Sequence, residues 1–308
     1  MPSNQTPLGA LPARFRRERV LIIGCGDVGL RVARAGHARV RLLALTSSPA
    51  RVPQLRERGI TPLRGDLDLP QSLARLAGLA TRVVYLAPPP AAAQPWWQDP
   101  RSAALLRSLR RRTPPRSLVY GSTTGVYGDR GGAWIDETAA VAPATPRAHR
   151  RVHAESMVRW FGRGSGTRSS ILRIPGIYAA DRAGGARERL QRGMPVLRAE
   201  DDVYTNHIHA DDLAQVVLAS LWRGRPQRIY HASDDSELKM GDYFDLAADL
   251  YGLPRPPRIA RDAASAVLPV GVLSFMGESR RLRNRRLADE LRVRLRYPTA
   301  REGLVGPP

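Results

Sequence analysis

The chain has 308 residues, is 43% hydrophobic and carries a formal net charge of +21, which allows a sizeable core in one or two domains. No run of about 18 apolar residues occurs, which argues against a membrane span. The single cysteine, Cys25, rules out an internal disulfide and fits a reducing, cytoplasmic setting. The charge suits nucleic acid or an acidic surface, yet it is spread over Arg14 to Arg19, Arg107 to Arg116, Arg147 to Arg151 and Arg280 to Arg296. Lys239 is the only lysine, so the bias reads as compositional drift. No aromatic residues interleave with the basic runs as a stacking surface would require. No specific nucleic-acid partner is expected.

Residues 1–18, rich in Pro and Arg, lack the apolar segment of a secretory signal and read as a loose tail. Val20-Leu21-Ile22-Ile23 then reads as a buried strand, followed at once by Gly24-Cys25-Gly26-Asp27-Val28-Gly29 and a helix beginning at Leu30. Each glycine has a job in a dinucleotide site. Gly24 permits the tight turn, Gly26 lets a pyrophosphate approach the backbone, and Gly29 lets helix pack closely on strand. The helix N-terminus supplies N–H donors and the positive end of its dipole. Cys25 sits where that dipole lowers a thiol pKa, but a small residue tolerated in a tight turn explains it more simply.

Val40–Leu45 is a second strand. At its end, where an NAD site carries Asp or Glu for the ribose 2′-hydroxyl, stand Thr46, Ser47 and Ser48, with Arg51 in reach. Hydroxyls and a guanidinium suit a 2′-phosphate, so NADP is favoured, with NAD as the alternative. Gly59 to Asp68 holds a short strand and an acidic turn, and Arg82–Ala87 a fourth strand broken by Pro88-Pro89-Pro90. Ala91 to Pro100, with Trp96 and Trp97, reads as a loop beside the site. A helix over Arg101–Arg112, a strand over Ser117–Tyr120 and a hydroxyl-rich loop over Gly121–Gly128 follow. Strands alternating with helices predict an α/β fold with a doubly wound parallel sheet, whose ligands bind at the carboxyl ends of the strands.

At this point the chain resembles the extended short-chain dehydrogenase/reductases, in their epimerase/dehydratase branch. The resemblance runs from about residue 19 to 304. It rests on the glycine turn, Gly65-Asp66-Leu67, Ser122 to Gly128, Leu172-Arg173-Ile174-Pro175-Gly176-Ile177-Tyr178 and Asn206-His207-Ile208-His209-Ala210-Asp211-Asp212-Leu213-Ala214. It implies a Rossmann domain over residues 19–175, to which 205–231 return, and a smaller interleaved substrate lobe built from 176–204 and 232–308. It places Asp66 and Leu67 near an adenine, and Ala87 and Ser122 along the ribose–nicotinamide path. Pro175 and Tyr178 would border the nicotinamide, Thr123 matches the catalytic Ser/Thr, and Asn206, where the chain returns from the substrate lobe to the sheet, is a candidate substrate-binding residue.

Two departures stand out. The family's usual Gly-x-x-Gly-x-x-Gly is replaced by Gly24-x-Gly26-x-x-Gly29, the spacing of atypical members. Its Tyr-x-x-x-Lys pair is replaced too: counting back from Glu155 gives Arg147 and Arg151. A guanidinium stays protonated and cannot serve as a base near neutral pH. Tyr127 and Tyr178, and four histidines (His149, His153, His207 and His209), remain as candidates for proton transfer. Arg147 and Arg151, one turn apart, are candidates for binding a substrate carboxylate or phosphate.

No Cys, His and carboxylate cluster has metal-ligand spacing, and the resemblance accounts for His207 and His209 structurally. Gly277–Asn284 reads as the start of a basic helix and Leu291–Tyr297 as a strand or extended tail. The expected protein is an NAD(P)-dependent oxidoreductase or epimerase-like enzyme acting on a small-molecule carbonyl or carbinol. The alternative is a dinucleotide sensor that keeps the fold without the chemistry, and nucleic-acid binding stands third.

Overall fold

Apolar side chains on both faces of strand β1 (Glu18–Ile23) fix the architecture. Val20 and Ile22 point into one core, Leu21 and Ile23 into another, as the two-residue period of a strand demands. The computed structural model describes residues 18–36, 40–268, 273 and 276–305. Residues 1–17 of the expected N-terminal tail lie outside that range.

Six more strands join β1 in one parallel sheet: β2 (Val40–Thr46), β3 (Thr61–Arg64), β4 (Arg82–Tyr85), β5 (Ser117–Thr123), β6 (Arg168–Ile174) and β7 (Arg228–His231). Their spatial order is β7-β6-β5-β4-β1-β2-β3. The order reverses between β1 and β4, where Ile23 stands opposite Tyr85. That reversal opens a crevice at the carboxyl ends of the strands, where open α/β sheets take ligands.

Helices cover both faces. On one lie α1 (Asp27–Gly36) and, from later in the chain, α5 (Ala210–Arg223), which contribute Val32, Leu213 and Val217 to the core. Helices α3 (Pro100–Arg110) and α4 (Pro146–Ser165) cover the other face with Leu105, Leu109, Val158 and Phe161. A short helix, α2 (Arg51–Glu57), links β2 to β3. Side chains cap the starts of two of these helices. Asp99 accepts from the N–H groups of Arg101 and Ser102 ahead of α3, and Thr145 from that of Ala148 ahead of α4. A third core gathers Tyr178, Leu190, Val196, Tyr243, Phe244 and Leu304 from the C-terminal part of the chain. Among the described residues no helix is long and apolar enough to cross a membrane.

Two local expectations change. The segment from Gly121 is not loop at first: β5 continues through Thr123, which pairs with Ile174. A 3-10 turn, Thr124–Tyr127, then bends the chain away. The basic helix expected over Gly277–Asn284 is absent. Arg281 and Leu282 instead form a short strand parallel to Trp134 and Ile135. Leu282 is buried there against Val126 and Tyr127, while the Arg281 guanidinium lies over the Trp134 ring. Tertiary pairing overrides the local helical signal.

Candidate functional site

The glycine turn takes its shape from β4. Gly24 has φ +84°, and a Cβ on it would come within 2.7 Å of Ala87 Cα. Only glycine satisfies both conditions. A Cβ on Gly29 would lie 3.0 Å from the Gly24 carbonyl and 3.3 Å from Ile22, which is the close helix–strand packing expected of it. Gly26 differs: nothing lies within 4 Å of where its Cβ would stand. Its own N–H is bonded to Gly24 O at 2.9 Å. The first-turn N–H groups of Asp27, Val28 and Gly29 have no partner within their helix. The turn is therefore an open cradle backed by three donors, and it fits a pyrophosphate.

A cavity of about 400 Å³ extends from this cradle across the ends of β1, β4, β5 and β6. Gly24, Gly26, Asp27, Val28 and Gly29 line one end. Ser122, Thr123, Arg147 and Arg151 line the other, with Leu86, Pro88 and Pro175 between them. Gly125 N–H donates to Thr123 Oγ1 at 3.3 Å, which orients the hydroxyl and leaves its proton free to donate. The Ser122 hydroxyl is committed to Glu155 at 2.6 Å, and Glu155 in turn holds Arg173.

Arg151 is almost fully buried in the cavity wall. Its Nη1 donates to Gly121 O at 2.7 Å and to the Tyr120 hydroxyl at 3.0 Å, while its Nε has no partner. The cost of burial acts on it first, yet the neighbouring Tyr120 hydroxyl leaves its pKa above the ordinary arginine value. Arg147 stands exposed at the mouth. Desolvation against the cavity, and then repulsion from Arg151, lower its pKa.

Other expected residues stand elsewhere. Ala87 is buried behind Gly24, and its neighbours Leu86 and Pro88 line the cavity instead. Cys25 is buried, and desolvation raises its thiol pKa, so it is not a reactive thiolate. Its carbonyl accepts from Arg51 at 2.6 Å, which pins that guanidinium beside the glycine turn at the end of β2. Ser47 is exposed next to it, and Ser48 is tied into a turn with Thr46. Asp66 accepts from the Asp68 N–H, and Leu67 packs on the sheet core; neither lines the cavity.

Three expected site residues are turned away from the cavity altogether. Tyr127 is fully buried under the turn. Its hydroxyl pairs with His231 Nε2 at 2.5 Å, and burial pushes its pKa up to about 12. Tyr178 donates to Thr299 O at 3.2 Å and packs so tightly on Gly303 that a Cβ there would lie 2.7 Å from its ring. Neither tyrosine lines the cavity. Asn206 spends its amide on main chain, donating to Arg280 O and accepting from Leu282 N–H, each at 3.0 Å. These bonds tie it to the 280–282 segment, and it does not line the cavity. The histidines are no nearer. His207 stacks on Tyr243, His209 caps α5, and His149 and His153 rest against Trp96 and Trp97.

Among the described residues, the ionisable groups lining the cavity are Asp27, Arg147, Arg151 and Arg182. Arg182 was not anticipated. It lies in an irregular stretch rich in Gly and Arg, with no periodicity to mark it.

A profile of the NAD dependent epimerase/dehydratase family matches residues 20–232. Among solved structures, a functionally unknown conserved protein from Silicibacter pomeroyi is 30% identical. The alignment covers 93% of this chain and 96% of that one, with a TM-score of 0.75. UDP-glucose 4-epimerase from Thermotoga maritima, solved with UDP-glucose, is 18% identical over 93% and 96% of the two chains, again with a TM-score of 0.75. RMD from Pseudomonas aeruginosa, complexed with NADPH, is 19% identical over 94% and 97%, with a TM-score of 0.70. At such identities the last two show the shared fold. No curated protein matches the sequence.

Proposed function

The chain belongs to the NAD dependent epimerase/dehydratase family and is an epimerase-like enzyme that uses a nicotinamide cofactor, and we propose that it transfers hydride at a carbonyl or carbinol carbon of a small anionic substrate. One observation carries this reading: Thr123 and the guanidiniums of Arg147 and Arg151 line the same cavity as the open glycine cradle. The cradle would hold the pyrophosphate, and a bound nicotinamide would supply or accept the hydride.

The chain's own residues do the rest. The free proton of the Thr123 hydroxyl donates to the reacting oxygen. Arg151 is fixed by Gly121 and Tyr120 and keeps its charge at all working pH values, so it stabilises negative charge developing on that oxygen. Arg147, at the mouth, pairs with a carboxylate or phosphate elsewhere on the substrate. Neither arginine is a general base. Water at the open mouth exchanges the proton. We propose NADP over NAD because Arg51 is held beside Ser47 and Ser48, with no carboxylate at the end of β2 to repel a 2′-phosphate.

Oxidation of NADPH against paired carbonyl compounds, alike except for a carboxylate or phosphate, tests the proposal. Anionic members should be preferred, and Arg147→Ala should raise their KM roughly tenfold or more, as for loss of a hydrogen bond between charged groups. Equal use of neutral and anionic members would overturn the substrate class. Tight NADPH binding with no turnover on any member would overturn the hydride-transfer reading and leave a dinucleotide sensor.

A further inference from the structure

The strand Gly176–Tyr178 leads into a loop, Ala179–Gly185, whose Asp181 and Arg182 lie against Arg31 and Asp27 of α1. Asp181 in this loop accepts from Arg31 Nη2 at 2.6 Å, which pins the loop to α1. The next residue, Arg182, lines the same cavity as Gly24, Gly26 and Asp27, with its guanidinium near Asp27. Its side chain is loosely held: Nη1 reaches Ile177 O at 3.5 Å, and Nε lies 3.8 Å from Asp27 Oδ2.

The local charge gives this cation a task. Asp27, directly after Gly26, puts a carboxylate at the helix N-terminus where a pyrophosphate's two negative charges would lie. Arg31 cannot offset it fully, because it already serves Asp27, Asp181 and Asp211, the last shared with Arg34. Three carboxylates thus face two committed guanidiniums beneath the cradle. Arg147 and Arg151 stand at the Thr123 end of the cavity. Among the described residues Arg182 is the lining cation that lies near Asp27, and its weak contacts are readily exchanged.

We infer that Arg182 is a pyrophosphate-binding residue: its guanidinium gives up its loose contact with Asp27, pairs instead with the phosphates of the dinucleotide and closes the Ala179–Gly185 loop over them. The inference rests on the reading of the glycine turn as a dinucleotide site. A guanidinium suits the task because its planar fork matches phosphate oxygens. Asp181 acts as a positioning residue, holding the loop so that Arg182 faces the cavity.

Calorimetry on the full-length protein tests the inference, with NADPH and ADP-ribose as pyrophosphate-bearing ligands and adenosine as the control in competition with NADPH. Arg182→Ala should weaken both pyrophosphate ligands about 10–100-fold and leave adenosine unchanged. Arg182→Lys, which keeps the charge without the fork, should recover part of the loss. Asp181→Asn should weaken NADPH several-fold through the loop. A folded Arg182→Ala that binds NADPH within twofold of the unmodified protein would overturn the inference, as would an equal loss for adenosine. Gly26→Val separates the two readings. If it abolishes binding while Arg182→Ala changes nothing, only the role of Arg182 fails; if neither matters, the glycine turn is not the dinucleotide site.

Discussion

Gly26→Val isolates ligand binding from folding more cleanly than any other change in the glycine turn. Its φ lies outside the left-handed region, and no atom lies within 4 Å of the Cβ to be added. The protein should therefore tolerate the substitution, at a stability cost of about 1 kcal/mol for a poor residue at the helix N-cap. The new methyl groups occupy the open space above the turn and keep a pyrophosphate from the N–H groups of Asp27, Val28 and Gly29. Two hydrogen bonds to charged oxygens, each worth about 1.5–3 kcal/mol, amount to roughly 3–6 kcal/mol, or about a hundred- to ten-thousand-fold in affinity. Calorimetry with NADPH and NADH, on protein shown to be folded by circular dichroism, measures the loss. Gly24→Ala is the contrasting control. With φ +84° and a Cβ 2.7 Å from Ala87 Cα, it should destabilise the fold itself. A folded Gly26→Val with unchanged affinity for both cofactors would refute the assignment of this turn.

Arg51→Ala should narrow the preference for NADPH over NADH by about 1.5–3 kcal/mol, and equal affinities in the unmodified protein would sink the 2′-phosphate reading. Thr123→Ala should lower kcat about 10–100-fold, for loss of a hydrogen bond to a developing charge, with cofactor affinity unchanged by calorimetry; undiminished turnover would remove Thr123 from the chemistry. Stability should also fall as pH drops from 6.5 toward 4. Burial holds His207, His209 and His231 down to about 3, 4 and 3, so the unfolded chain takes up protons that the folded chain does not. Each such proton is worth roughly 1.4 kcal/mol per pH unit. Asp234, pushed up to about 7 by burial, opposes them with one proton, and Glu137, Asp202 and Asp212, also raised by burial, oppose them further toward pH 4, so the net loss is smaller than the histidines alone would give. Urea denaturation at pH 5 and pH 7 measures it, and greater stability at pH 5 would contradict the burial argument.

The sequence by itself determined the parallel sheet and the glycine turn, because both are written in neighbouring residues. Four apolar residues followed by Gly-x-Gly-x-x-Gly specify strand, turn and helix within ten positions. Counting back from Glu155 on the spacing of the resembling family led to Arg147 and Arg151 as candidates for substrate binding. What each side chain faces was decided by partners far along the chain. Tyr127 looked like a catalytic phenol until His231, 104 residues later, took its hydroxyl. Asn206, a candidate substrate residue in the sequence, bonds through its amide to Arg280 and Leu282, 74 and 76 residues on. Arg281 and Leu282 read as helix until Trp134 and Ile135 offered a strand to pair with. Arg182, in a stretch without periodicity, lines the cavity next to Asp181, which Arg31, 150 residues earlier, holds. Periodicity and turn chemistry report on a residue's own neighbourhood. The direction of a polar side chain follows from which distant donor or acceptor the fold brings within about 3 Å, since a buried polar group without a partner costs about 1–3 kcal/mol.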